Sequence, residues 1–279
     1  MRSDLAVHRA NFRRLHEDGC FVMPNPWDVG SARMLQHLGF PALATTSAGL
    51  AFSLGLPDNA VPRAAVLDHV AAIVRAVDVP VSADLESGFG VDAAGVAESV
   101  RLCVAAGVAG LSIEDATGDR SRPLHEREEA VARLRAARAA IDASGAGVML
   151  TARAECHLVG HPDPLRESIR RLEAYAAAGA DCLYAPGLRT GEEVAAVVKA
   201  VAPKPVNVLA GAPGFSVTQL RDLGVRRISV GAALARTAWG AFLRAAEEIA
   251  GEGTFESLGG AASFARLNEF FGEDLRRRR

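Results

Sequence analysis

Several things are scarce or missing in this chain, and each absence closes off a class. Its four cysteines, Cys20, Cys103, Cys156 and Cys182, are widely separated, form no Cys-x-x-Cys pair and sit inside apolar segments. That pattern excludes a disulfide framework and reads as buried free thiols in a reducing, cytoplasmic setting. Residues 1–9 lack the apolar core of a secretory leader, and no later apolar run is long enough to span a bilayer, so no membrane role is expected. Charge of one sign is also missing. Thirty-one basic residues face 33 acidic ones for a net charge of −2, which leaves no electrostatic footprint for nucleic acid. No early Gly-x-Gly-x-x-Gly opens a first helix, and no linker or low-complexity stretch divides the 279 residues. The basic end, residues 276–279, reads as a solvated terminus.

What the chain does have is alternation. Eight short apolar runs bounded by Gly, Pro or polar residues read as strands: 21–23, 42–46, 79–83, 110–114, 148–153, 182–185, 205–209 and 227–230. Segments of helical periodicity lie between them, clearest at 61–77, 93–106, 126–143, 164–178 and 192–201. Nearly all-apolar strands, each followed by a helix, indicate a parallel sheet covered on both faces. Eight such units at this length predict a (β/α)₈ TIM-type barrel over residues 1–279, in preference to a doubly wound open sheet. After the eighth strand, 233–250 and 255–271 read as two further helices. The segment 252–279 exceeds what a barrel needs. Its apolar face, with Leu258, Phe264, Leu267, Phe270 and Phe271, needs a partner, either the chain's own barrel or a neighbouring subunit.

In such a barrel the chemistry sits at the C-terminal ends of the strands. The third strand ends in Asp84-Leu85-Glu86-Ser87-Gly88-Phe89-Gly90, and the fourth in Ser112-Ile113-Glu114-Asp115. Alternation along a strand puts Asp84 and Glu86 on one face, and Glu114 can join them from the next strand. Three hard oxygen ligands with room for water suit Mg²⁺ or Mn²⁺ better than zinc. The first strand end offers Asn25, Trp27 and Asp28, and the second offers Thr45, Thr46 and Ser47, with Asp58 beyond a loop. Small residues near Thr46 and Ser47 leave backbone N–H groups free to hold a carboxylate. The fifth strand places Arg153 and Glu155 on one face with Thr151, where an arginine beside carboxylates can bind a substrate carboxylate or an oxyanion. Asn207 in the seventh strand can offer its amide to substrate. Cys156 falls on the face opposite Arg153, which argues against a Cys/His nucleophile. His125, His157 and His161 lack metal-ligand spacing.

The order and spacing of Asn25-Pro26-Trp27-Asp28, Thr45-Thr46-Ser47, Leu54-Gly55-Leu56-Pro57-Asp58, Asp84-x-Glu86-x-Gly88-Phe89-Gly90, Ile113-Glu114-Asp115, Thr151-Ala152-Arg153 and Pro205-Val206-Asn207-Val208-Leu209 resemble the isocitrate lyase/phosphoenolpyruvate mutase superfamily. The resemblance implies a (β/α)₈ barrel assembled as a homo-oligomer, a dimer or a tetramer that exchanges C-terminal helices. It further implies Mg²⁺ held by Asp84, Glu86 and Glu114, partly through water, with Asp58 nearby. Arg153 matches the substrate-binding arginine, and Thr46-Ser47 the carboxylate-binding loop. Substrates of the superfamily are small α-keto or α-hydroxy acids that pass through an enolpyruvate-like oxyanion. The chain departs from the pattern after strand four. Residues 116–125 contain no cysteine where the superfamily's lyases carry Lys/Arg-Cys-Gly-His, nor the Lys and Asn of its phosphonate-processing members, and Pro186 stands where those members place a histidine. The expected activity is therefore Mg²⁺-dependent C–C cleavage or decarboxylation, ahead of phosphonopyruvate hydrolase or mutase-type C–P chemistry and ahead of a catalytically silent keto-acid-binding barrel. Water, Glu155 and His125 stand as alternative proton donors.

Overall fold

All eight apolar runs become strands in the computed structural model, which describes residues 2–278. They are β1 (Phe21–Met23), β2 (Leu43–Ala44), β3 (Val81–Asp84), β4 (Gly110–Glu114), β5 (Met149–Arg153), β6 (Cys182–Tyr184), β7 (Val206–Leu209) and β8 (Arg227–Ser229). The helices are α1 (Arg2–Leu15), α2 (Val29–His37), α3 (Ser47–Ser53), α4 (Arg63–Ala76), α5 (Ala93–Ala105), α6 (Arg127–Ser144), α7 (Pro164–Ala177), α8 (Gly191–Val201), α9 (Val217–Asp222), α10 (Ala233–Gly251) and α11 (Phe264–Arg278). The strands pair in the order β1-β8-β7-β6-β5-β4-β3-β2, every pair parallel. The result is a nearly closed (β/α)₈ barrel. Between β1 and β2 no ladder forms among the described residues. The seam is bridged instead by Ala44 N–H donating to the Pro24 carbonyl (3.1 Å) and by the Asn25 side chain.

Alternation sorts each strand into two faces. Leu111, Ile113, Leu150, Ala152, Leu183, Val206, Val208 and Ile228 join one apolar layer with helix residues such as Val70, Val100, Leu134, Leu172 and Val197. Burying one such side chain contributes about 1.5–3 kcal/mol, so this layer supplies most of the driving force. Residues of the other parity face the lumen, and above the floor many are polar: Ser82, Ser112, Thr151, Asn207, Arg227 and Ser229 are all buried. The floor itself is apolar. Phe12 of α1 is fully buried against Phe21, Met23, Ala42 and Met149. A Cβ at position 110 would lie 2.5 Å from Phe12 Cε1, so glycine at the start of β4 is the condition for that plug.

The chain divides into two compact units at Leu234/Ala235. In the second, the expected helix over 255–271 is replaced by a 3₁₀ turn at Glu256–Gly260 and by α11, which starts later and runs to Arg278. Gly259 and Gly260 disfavour a continuous helix. Ser263 then starts a new one, its carbonyl accepting from Leu267 N–H (3.2 Å) and its hydroxyl from Arg266 N–H (3.5 Å). Arg276, Arg277 and Arg278 are consequently helical rather than a loose tail, and Arg278 Nε pairs with Asp274 at 3.0 Å. Arg279 lies outside the described residues, as does Met1. Among the described residues no helix is long and apolar enough to cross a membrane.

Candidate active site

Three strand tips meet on one guanidinium. Arg153, last residue of β5, donates from Nη1 to Asp84 Oδ1 (3.0 Å), from Nη2 to Glu114 Oε2 (2.9 Å) and from Nε to Glu155 Oε1 (2.9 Å), with its Cζ 5.2 Å from the Tyr184 ring centroid. The register explains the meeting, since Asp84 pairs with Ser112 and Glu114 with Arg153 on neighbouring strands. Burial alone would lower the pKa of the Arg153 guanidinium, but the charges of Glu114, Glu155 and Asp84 outweigh it and raise it well above the ordinary arginine range. For Glu114 and Glu155 the balance runs the other way. Burial, only partly offset by Arg153, raises both above the ordinary carboxylate range.

Glu86 reaches this cluster by a different route from the one alternation predicts. β3 stops at Asp84, Leu85 turns into the core with no exposed surface, and Glu86 adopts a left-handed φ of +49°. Its proximity to the acidic cluster comes from the turn rather than the strand. Burial first, then the charges of Asp84 and Asp58, push its carboxyl up to about 7. The same turn carries Phe89 at φ +56° and ends at Gly90, where a Cβ would lie 2.3 Å from Val96 N. Arg133 holds the turn from beneath, donating to the carbonyls of Ser87 (2.9 Å) and Gly90 (2.8 Å).

The cluster opens onto a cavity of about 180 Å³ lined by Thr46, Ser47, Asp58, Asp84, Arg153, Tyr184 and Asn207 among others. A second, more open cavity of about 440 Å³ shares Ser47, Asp58, Arg153 and Leu158 and adds Glu114, Glu155 and residues of the 116–123 loop. Asp58 is raised chiefly by burial and bonds to Ser47. Thr46 caps α3, its hydroxyl accepting from Gly49 N–H (3.3 Å), and Ser47 N–H points to Asp84 Oδ2 (3.2 Å). That N–H is therefore engaged by the acidic cluster instead of waiting for a substrate. Asn207 is similarly committed, donating to Ser229 Oγ and accepting from Arg227 Nε, both at 2.9 Å. Trp27 does not line either cavity. Asn25, two residues earlier, takes a structural role at the lumen's edge: Oδ1 accepts from Val230 N–H (3.0 Å) and Gly231 N–H (2.9 Å), and Nδ2 donates to the Thr45 carbonyl (2.9 Å).

The Cys/His alternative fails on geometry and titration together. Cys156 is fully buried and its thiol is pushed up to about 11, chiefly by burial. His125 lines neither cavity, and its Nδ1 lies 2.8 Å from Glu129. Sequence reasoning missed Tyr184 and Arg227, which line the lumen, and Asp115. The last holds Glu155 N–H on Oδ1 (2.8 Å) while Oδ2 accepts from Tyr175 (2.6 Å) and Arg171 (3.0 Å). Arg227 opens its strand and so carries no signal on paper that separates it from a boundary residue.

Among the described residues no three Asp, Glu, His or Cys side chains converge as a ready metal cage. The donor set nonetheless fits Mg²⁺, which takes one or two carboxylates and keeps several waters. Glu86 Oε1 is buried without a hydrogen-bond partner, an acceptor that a hydrated cation satisfies. Asp84, Glu86, Glu114, Asp58 and Glu155 also outnumber the one arginine among them.

Residues 12–250 match the family model for phosphoenolpyruvate phosphomutase. Oxaloacetate decarboxylase from Rhodopseudomonas palustris (strain BisB5) is 31% identical over 225 residues, covering 77% of this chain and 74% of that one. A crystal structure from Burkholderia cenocepacia J2315, described in general terms as a lyase/mutase, superposes with a TM-score of 0.93 at 51% identity, over 96% of this chain and 98% of the other. Phosphonopyruvate hydrolase in complex with oxalate and Mg²⁺ superposes with a TM-score of 0.84 at 26% identity, over 97% and 96% of the two chains.

Proposed function

Because the chain belongs to the phosphoenolpyruvate phosphomutase family, we propose that it is a Mg²⁺-dependent carbon–carbon lyase acting on a small α-keto or α-hydroxy carboxylic acid. The observation that carries the reading is Arg153 gripped by Asp84, Glu114 and Glu155 at the junction of two cavities. Asp84 and Glu86 would hold the cation, with Glu114 and Asp58 reaching it through water. When bound, it supplies Lewis-acid stabilisation of an enolate-like oxyanion.

The chain's own residues do the rest. Arg153 spends three of its five N–H groups on carboxylates, leaving two for a substrate oxygen. Its fixed charge faces the negative charge that develops as the bond breaks, in a site already shaped for it. Glu155 lines the larger cavity and is raised chiefly by burial, which suits it to hold a proton and deliver it to the carbon that keeps the electron pair of the broken bond. The 116–123 loop contributes Asp119, Arg120 and Pro123 to the cavity wall and no thiol. Decarboxylation of a keto diacid, the activity named for the Rhodopseudomonas relative, needs no such thiol. Pro186 lines the smaller cavity and has no N–H to offer a phosphoryl group, which places C–P chemistry second.

The test is an NMR time course with Mg²⁺ and oxaloacetate, 2-methylisocitrate or phosphonopyruvate. Cleavage of either carbon acid supports the lyase; turnover of phosphonopyruvate alone assigns C–P chemistry instead. Saturable binding of all three without product makes the barrel a keto-acid binder and overturns the reading. The second unit also fits a homo-oligomer. Phe264 is 83% exposed, and Phe255, Leu258, Leu267 and Phe271 are exposed with it, an apolar set suited to a second copy of the chain. Sedimentation of a stable dimer or tetramer that Phe264→Asp dissociates is the expected result.

A further inference from the structure

Below the acidic cluster the lumen holds a charge that the reaction outlined above leaves unused. Arg227 opens β8, is 3% exposed and lines the 180 Å³ cavity. Its Nε donates to Asn207 Oδ1 (2.9 Å) and its Nη2 to Thr151 Oγ1 (3.0 Å), while Nη1 faces His16 Nε2 at 3.3 Å. None of these partners carries negative charge. His16 is neutral: burial first, then Arg227, push it down to about 3, and its Nδ1–H donates to the Phe12 carbonyl (2.8 Å), so Nε2 faces Arg227 as an acceptor. Among the described residues no carboxylate forms an ion pair with Arg227.

A guanidinium buried without a counter-ion is expensive, and neutral acceptors repay only part of its lost hydration. Three of its five N–H groups are engaged, so two are left over beside a cavity. A cavity whose wall holds an uncompensated cation is completed by an anion. We propose that Arg227 forms a deep anion subsite, a second substrate-binding cation that receives the far acidic group of a small acid whose near end lies at Arg153. The proposal rests on the reading of this cavity as the acid site and adds which acids it selects.

The depth of the subsite sets the class of ligand. Arg227 bonds to Thr151, which precedes Arg153 by two residues on the same face of β5. Two strand residues span about 7 Å. A diacid of about four carbons bridges the two levels with its carboxylate oxygens, whereas oxalate and other two-carbon acids reach one level at a time. Ser229 and Asn207, bonded to each other at 2.9 Å beside Arg227, supply a polar wall between the levels. Asn207 thereby positions the guanidinium through Oδ1 rather than meeting the substrate itself.

Calorimetry with Mg²⁺ present, on the full chain and on Arg227→Gln, separates the outcomes. Malate, a four-carbon 2-hydroxy diacid, should lose at least tenfold in affinity in the variant, while oxalate stays within about twofold of the unaltered protein. Equal losses for both acids reduce Arg227 to a strut between α1 and the barrel, and no loss for either removes the subsite; each overturns the proposal. Failure of the unaltered protein to bind either acid overturns the acid-site reading first, and the subsite with it. Should Arg227→Gln not fold, the side-chain Nε–H resonance of Arg227, assigned by its absence in Arg227→Lys, answers in the unaltered protein. Malate must shift it and oxalate must not; an unmoved resonance under saturating malate sinks the idea.

Discussion

Two arginines lie in the lumen of this barrel, about two strand residues apart in depth, and their surroundings are opposite in kind. Arg153 at the mouth is held by three carboxylates, Asp84, Glu114 and Glu155. Arg227 in the middle is held by an amide, a hydroxyl and an imidazole, none of them charged. The mouth thus gathers carboxyl groups around its one cation, while the middle holds a cation with no carboxylate partner among the described residues. On the proposed reading a cation would be drawn to the upper level and an anion to the lower one. One substrate that chelates a metal with one end and presents a carboxylate at the other satisfies both.

The comparison breaks most completely at the mouth. Asp84→Ala removes an Arg153 partner and a proposed cation ligand together; Mg²⁺ uptake by calorimetry and turnover should both vanish, and full Mg²⁺-dependent activity in this variant would discard the assignment. Arg153→Met strands three buried carboxylates, which is expected to cost about 3–5 kcal/mol in urea unfolding and at least a thousandfold in kcat. Retention of stability would mean that the carboxylates already share protons rather than depend on the arginine.

A smaller effect sharpens the lower level. His16 titrates near 6.5 in the unfolded chain and at about 3 in the folded one. The unfolded state therefore binds the extra proton first as pH falls, so His16's contribution is intact above about pH 6.5 and declines by about 1.4 kcal/mol per pH unit below it. Between pH 7 and 4.5 the wild-type chain should lose about 2–3 kcal/mol more than His16→Gln, measured by urea unfolding at both pH values. Equal losses would place the imidazole in water rather than beneath Arg227. The smallest effect is expected at Trp27, which lines neither cavity. Trp27→Phe should leave KM within about twofold, and a larger change would bring the β1 tip back into the site.

The legibility of the sequence follows the same division. The outer face of the barrel is apolar with a period of two and announces itself, so β1 through β8 are found, with errors confined to strand ends. At the second strand, Thr45 and Thr46 extend the run on paper, but Thr46 turns away to cap α3 and Thr45 Oγ1 accepts from Asp84 N–H (2.9 Å), leaving Leu43–Ala44 as the strand. Residues at strand tips are legible because a charge ending an apolar run stands out; Asp84, Glu114, Arg153 and Glu155 are found and meet. Glu86 comes near the acidic cluster by a left-handed turn rather than by strand alternation and lines neither cavity, so the alternation argument fails for it. Arg227 begins its strand, looks like a boundary residue and is read as one. The helices given no bounds on paper, α1, α2, α3 and α9, are short or mostly polar; α1 is anchored by Phe12 at the barrel floor, a contact no local pattern encodes. The break in the C-terminal helix was visible in Gly259 and Gly260 but outweighed by the apolar periodicity around it.

The seam beside Asn25 deserves a mechanical reading. Seven junctions of the cylinder are zipped by parallel ladders; the eighth is fastened by one backbone bond and by an amide that clasps both Thr45 and the Val230–Gly231 turn. A hoop loaded evenly parts where it is buttoned rather than woven. Breathing of the barrel is expected to start at that clasp, with the amide of Ala44 the first in the wall to trade its hydrogen for deuterium in an exchange experiment.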